Sequence, residues 1–173
     1  MQGLDAFIPT EIKANYINEL LKVGFDTIDF GSFVSPKAIP QLRDTGEVLR
    51  HLNLDNTRSA LLAIVANLRG AQDALAYDEI SYLGFPLSIS EEFQQRNTNR
   101  SISSALQVVS EIQNLVEGKG KELVVYISMG FGNPYGEPFN EDIVAEFVKE
   151  LSELNISIIS LSDTIGVSDP QMI

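Results

Sequence analysis

Two aspartates carry the chemistry that can be read in this chain. Asp29 closes an apolar run rich in β-formers, and Gly31, Ser32, Ser35 and Pro36 follow at once. Asp163 closes a second such run, Ser160-Leu161-Ser162, and is followed by Thr164, Ile165 and Gly166. A buried parallel strand delivers an acid to the mouth of an α/β barrel in this way. Two carboxylates at two strand ends suit acid–base work, or a hydrogen-bond network around a metal-bound ligand, if the strands share one sheet. The plain alternatives are a turn residue before Gly31 for Asp29, and a cap on its own turn for Asp163.

Other polar residues end strand-like runs: Asn67 after Ser59–Ala66, and Ser128 after Glu122–Ile127. Asn133 lies in Gly130-Phe131-Gly132-Asn133-Pro134-Tyr135-Gly136. Glycines there serve either a tight βα turn or a backbone that approaches a ligand closely. The stretch from Ser90 to Ser101 reads as a long polar connection, the kind from which lids are made at barrel mouths. His51 is the single histidine, on the surface of a helix, and there is no cysteine. One His without Cys assembles no zinc site, and no acidic cluster has the spacing of a magnesium or manganese site. No metal ligand is assigned in this chain.

The elements that position these residues alternate. Helices are expected from Pro9 to Val23 with Ile12, Tyr16, Leu20 and Val23 on the core face, and from a capping-box start at Asp44 and Glu47. Further helices are expected over 68–76, from Ser101 to Gly118, and from Asn140 with Ile143, Phe147, Leu151 and Leu154 on one stripe. Strands fall at Phe25–Phe30, Ser59–Ala66, Glu79–Phe85, Glu122–Ile127 and Ile156–Leu161. Strand–helix alternation predicts a parallel sheet with helices outside. No G-x-G-x-x-G follows the first strand, so the dinucleotide-binding open sheet is poorly supported. The expected fold class is α/β, a (β/α)8 TIM barrel. A whole barrel needs ~250 residues and eight strands. At 173 residues and five strands the chain reads as one partial barrel domain, residues 1–173, holding strands 2–6. Its first and last strands would be open parallel edges, which predicts self-association or a partner that covers them.

Composition narrows the partners. The hydrophobic fraction is 44% and the charged fraction 21%, ordinary for a soluble globular domain. The net charge of −12 disfavours nucleic acid. No apolar run has the ~18 residues of a membrane span, and no leader peptide is visible. Zero cysteines fit a reducing compartment, so a cytoplasmic location is expected.

Several stretches resemble one family, the 3-hydroxy-3-methylglutaryl-CoA lyases. They are Pro9-Thr10-Glu11-Ile12-Lys13, Ser32-Phe33-Val34-Ser35-Pro36-Lys37 and Asn67-Leu68-Arg69-Gly70, then Ser90, Phe93, Asn97 and Ser101, then Gly132, Pro134 and Tyr135, and finally Asp163-Thr164-Ile165-Gly166-Val167. Asp-Thr-Ile-Gly is shared with isopropylmalate and homocitrate synthases. The resemblance implies a metal-assisted retro-Claisen cleavage of the hydroxyacyl-CoA to acetoacetate and acetyl-CoA, in leucine catabolism and ketone-body formation. It implies magnesium or manganese as cofactor, an acyl-CoA substrate and a homo-oligomer. It makes Asp29 and Asp163 the catalytic pair, with Asp29 where the family has a glutamate. It makes Gln2, Ser32, Asn67, Ser128 and Asn133 substrate-binding residues.

The chain departs from the family pattern in three ways. Asp29 is one methylene shorter than the glutamate. Met129 and Asn133 stand where cysteine is common. The family's metal ligands and enolate-stabilising arginine fall outside this chain, so the segment alone is expected to be inactive. A condensing synthase and a non-enzymatic barrel scaffold are the other readings.

Overall fold

Five strands alternate with helices over residues 3–171, the part of the chain that the computed structural model describes. The first half holds α1 (Thr10–Val23), β1 (Thr27–Ser32), a 3-10 turn (Pro40–Leu42), α2 (Thr45–Arg50), β2 (Ala60–Ile64) and α3 (Leu68–Leu75). Then come β3 (Ile80–Ser88), α4 (Glu91–Thr98), α5 (Ile102–Val116), β4 (Glu122–Ser128), α6 (Glu141–Glu153) and β5 (Ile158–Leu161). The sheet order is β1-β2-β3-β4-β5. The β1–β2 and β4–β5 pairs are parallel. Strands laid down in chain order with a helix in each crossover make an arc of a (β/α) barrel. A doubly wound sheet would reverse its order at a switch point. As expected, β1 and β5 are the outer strands.

The chain divides into two compact units, Met1–Leu83 and Gly84–Ile173, with the boundary inside β3. In the first, the buried core is built from Ala14, Ile17, Leu21, Ile28, Phe30, Leu61, Leu62 and Ala71. Helix α1 ends where Gly24 takes the left-handed conformation (φ 79°), which a glycine adopts without the Cβ clash. The buried face of α1 is Lys13, Ala14, Ile17 and Leu21. This corrects the expected face: Ile12, Tyr16 and Val23 are exposed. The helix carries two apolar stripes, and the one containing a lysine packs inward because Lys13 finds a buried partner.

The second unit buries Phe85, Leu87, Ala105, Val109, Ile112, Leu123, Val125, Ile127 and Leu151. Its helices begin on side-chain caps: Ser90, Ser101 and Asn140 accept from Phe93 N, Ser104 N and Ile143 N. The expected polar connection at 90–101 is largely helix α4, a correction. Its interior contact is polar. Buried Gln94 accepts from Ser88 N at 2.9 Å and donates to Thr98 Oγ1 at 2.6 Å.

Candidate active site

In the first unit the two strands that carry candidate residues are locked in register. Asp29 pairs with Leu62, Gly31 with Ala63 and Ser32 with Ile64, so a bulge lies between Asp29 and Gly31. Strand β1 runs on to Ser32, so Asp29 stands inside the strand and not at its tip. Ile28 and Phe30 are buried while Asp29 between them is exposed, as strand alternation requires. Its side chain reaches solvent, yet the protein around it dehydrates the carboxyl enough to push it up to about 6. A carboxylate held there takes up a proton more readily at neutral pH than an ordinary aspartate does.

Ser32 is buried, and its hydroxyl works within the backbone. It donates to Ile64 O at 3.3 Å and accepts from Val34 N at 3.2 Å. Asn67 is the N-cap of α3, and its Oδ1 accepts from Gly70 N at 2.9 Å. Ser32 and Asn67 come together on the wall of one cleft of about 820 Å³, with Arg50, Arg69 and Tyr77. Asp29 is not part of that wall. Gln2 lies outside the described residues. His51 is exposed at the end of α2, as its position in the sequence suggested.

In the second unit Ser128 is buried at the end of β4, and its carbonyl accepts from Ile89 N and Ser88 Oγ. Met129 follows with φ 62°, a left-handed residue that is not glycine. Its N–H donates to Thr164 Oγ1 at 2.8 Å, so the loop after β5 caps the end of β4. Asp163 accepts from Val167 N and Ser168 N, both at 3.0 Å, and from Ser168 Oγ at 2.7 Å. The Ser168 and Val167 amides and the Ser168 hydroxyl hold its carboxyl below the usual carboxylate range. The turn-capping role weighed for Asp163 is therefore realised. Asn133 organises the glycine-rich loop: Oδ1 accepts from Tyr135 N and Glu137 N, and Nδ2 donates to Glu137 O.

Sequence reasoning missed three groups. Glu137 accepts from the Ser90 hydroxyl and from Glu92 N, which ties the glycine-rich loop to the start of α4. Asp44 does not form the expected capping box. Its Oδ1 accepts from Lys13 Nζ at 2.5 Å and its Oδ2 from Thr10 Oγ1 at 2.7 Å. Thr45 hydrogen-bonds the N–H of Ser32. Among the described residues no three His, Asp or Glu side chains gather into a metal-holding group. The divalent ion implied by the resemblance therefore has no fitting donor set among the described residues.

Five strands in chain order with helical crossovers define the class of the fold: this chain is a segment of an α/β barrel, with the Asp29 carboxylate accessible on β1. The chain belongs to the HMGL-like family, which it matches over residues 1–173. It is 32% identical over its whole length to the hydroxymethylglutaryl-CoA lyase YngG of Bacillus subtilis, covering 57% of that protein. It is 33% identical to the mitochondrial lyase of Gallus gallus over 98% of this chain and 56% of the relative. It is 32% identical to a cytoplasmic lyase of Homo sapiens, covering 45% of it. The HMG-CoA lyase structure from Bacillus subtilis superposes with a TM-score of 0.92, at 33% identity over 99% of this chain and 57% of that one. An Acinetobacter baumannii HMG-CoA lyase, solved with coenzyme A and 3-methylmalate, superposes with a TM-score of 0.91 at 31% identity, over 99% of this chain and 55% of that one. The chain thus spans about half the length of these relatives. No helix among the described residues is long and apolar enough to cross a membrane.

Proposed function

We propose that the protein carrying this chain is a carbon–carbon lyase that splits 3-hydroxy-3-methylglutaryl-CoA into acetoacetate and acetyl-CoA. The supporting observation is an unbroken match of the whole chain to lyases of this family, one of them solved with coenzyme A, with Asp29 accessible on β1. In this reading residues 1–173 are one partial-barrel domain.

Asp29 is the base. It takes the proton of the tertiary hydroxyl, and the oxygen's electron pair becomes the ketone of acetoacetate. The bond from the hydroxyl carbon to the thioester methylene breaks, and its electrons form the enolate of acetyl-CoA. The enolate then takes a proton to give the thioester methyl group. A carboxyl pushed up to about 6 is matched to the first transfer at neutral pH. Asp163 holds the loop 163–168 through its accepted hydrogen bonds. The resemblance assigns Ser32 and Asn67 of the first unit, Ser128 and Asn133 of the second, and Gln2 to substrate binding. Magnesium or manganese would have to be held by residues of the parent protein outside this chain, and its chemistry there would be to polarise the substrate's oxygens. The place of this reaction is leucine breakdown and ketone-body formation, in a cytoplasmic homo-oligomer.

The test is product analysis of the full-length protein. Incubation with 3-hydroxy-3-methylglutaryl-CoA and magnesium should release acetoacetate and acetyl-CoA in equal amounts. Condensation of acetyl-CoA with a 2-oxo acid, and no cleavage, would replace the lyase by a synthase.

A further inference from the structure

Strand β1 does not hold its bulge alone. Thr45, the first residue of α2, is buried against it. A Cβ on Gly31 would lie 2.5 Å from Thr45 Cγ2 and 2.9 Å from its Oγ1. Only a residue without a side chain lets the threonine come this close. Thr45 Oγ1 accepts from Ser32 N at 3.0 Å and donates to Leu42 O at 2.8 Å. A bulge breaks the local ladder and leaves backbone groups that need other partners. Here the threonine hydroxyl supplies the partner for the residue after the bulge.

Thr45 is itself fixed from behind. Its neighbour Asp44 is held by Lys13 Nζ at 2.5 Å and Thr10 Oγ1 at 2.7 Å. Lys13 also donates to Gln41 O, in the turn that leads into α2. A continuous path therefore runs from α1 through Asp44 and Thr45 to Gly31, two residues from Asp29. Because strand side chains alternate, loss of one extra residue from a strand turns those on one side of it to the opposite face.

We propose that Thr45 is a positioning residue: its hydroxyl stabilises the bulge after Asp29 and so fixes the face on which the Asp29 carboxylate is presented. The proposal rests on the reading of Asp29 as the base. It adds that a buried hydroxyl on a neighbouring helix sets the aim of that base.

Two variants separate this from simple packing. Thr45→Val keeps the shape and removes the hydroxyl; Thr45→Ser keeps the hydroxyl and removes the methyl. In the full-length enzyme Thr45→Val should lower kcat at least tenfold with KM within twofold. Thr45→Ser should recover kcat to within threefold of the wild type. If Thr45→Val does not fold, Gly31→Ala pushes the threonine off the same bulge and should give the same kcat loss. A Thr45→Val enzyme that is less stable but has wild-type kcat per folded molecule overturns the proposal.

A structural readout decides the matter even if the wild-type protein shows no lyase activity, which would sink the functional reading alone. By NMR, Thr45→Val should lose the Gly31–Ala63 register contact and speed Ser32 amide exchange at least tenfold. Retention of both in Thr45→Val would overturn the positioning role.

Discussion

Lys13 Nζ lies 2.5 Å from Asp44 Oδ1, with the two side chains only 2% and 9% exposed. Phe7 stacks on the same ammonium, 4.1 Å from its ring centroid. Burial alone would raise the Asp44 carboxyl, but the hydrogen bonds from Lys13 and Thr10 outweigh it and hold it below the usual range. Lys13→Met leaves this carboxylate with Thr10 and its own backbone amide. Losing one partner of a buried pair costs about 3–5 kcal/mol, and Thr10 keeps the expected value near the lower figure. Chemical denaturation at pH 7 should show the drop. Stability from a lowered carboxyl is full above its unfolded value and is lost as pH falls through the folded one. The gap between Lys13→Met and wild type should therefore narrow below about pH 4. Equal midpoints at pH 7 would count against the pair.

Asp29 has the opposite sign. Its carboxyl is raised by dehydration to about 6, so the folded chain holds a proton that the unfolded chain releases near 4. Folding is penalised increasingly as pH rises from 4 to 6, and fully above 6. Asp29→Asn removes that penalty. It should raise the melting temperature at pH 8 and leave it unchanged at pH 3.5, with solvent screening keeping the gain small. A loss of stability at pH 8 would contradict the dehydrated carboxyl.

Glycine packing gives a matched pair of substitutions. A Cβ at Gly70 would sit 2.5 Å from the carbonyl oxygen of Phe33, a backbone atom that cannot swing aside. Gly70→Ala should cost about 1–3 kcal/mol, as overpacking does. At Gly130 the nearest atom would be 3.6 Å away, in ordinary contact. Gly130→Ala should change the unfolding free energy by less than about 0.5 kcal/mol. The ranking, measured side by side, is the check; reversal would mean that the backbone shifts at Gly70 without cost.

The loop after β5 depends on one carboxylate. Asp163→Ala removes the acceptor of Val167 N, Ser168 N and Ser168 Oγ. Amide exchange at Val167 and Ser168 should accelerate at least tenfold, while Ile112 in the core of α5 stays protected. Unchanged exchange in the loop would show that Thr164 and its bond to Met129 suffice to hold it.

Much of the architecture was legible. Strand–helix alternation gave the sheet class, and Asn140 and Ser101 marked helix starts through the caps they form. The α6 stripe also held: Leu151 is buried, and Ile143, Phe147 and Leu154 are half-buried. Three features were hidden for physical reasons. Helix α4 has no apolar stripe, because its inward residue is Gln94, satisfied by hydrogen bonds. Asp44 and Glu47 have capping-box spacing, but a lysine 31 residues earlier in the chain outbids the local backbone for the carboxylate. The depth of Asp29 within β1 depends on a bulge and on Thr45, and neither leaves a periodic trace. In the candidate site, the bonds that Ser32, Asn133 and Asp163 spend on their own loops left no trace in the sequence, because local turns carry no periodic pattern.

The central claim is that Asp29 is the base of a lyase reaction. The direct test is the steady-state rate of acetoacetate release by the full-length protein and its Asp29→Asn variant, at pH 7.5 with saturating magnesium. A positioned general base contributes about 10²–10⁴-fold, so kcat should fall at least a hundredfold with 3-hydroxy-3-methylglutaryl-CoA still bound. A variant within a few-fold of wild type would remove Asp29 from the mechanism.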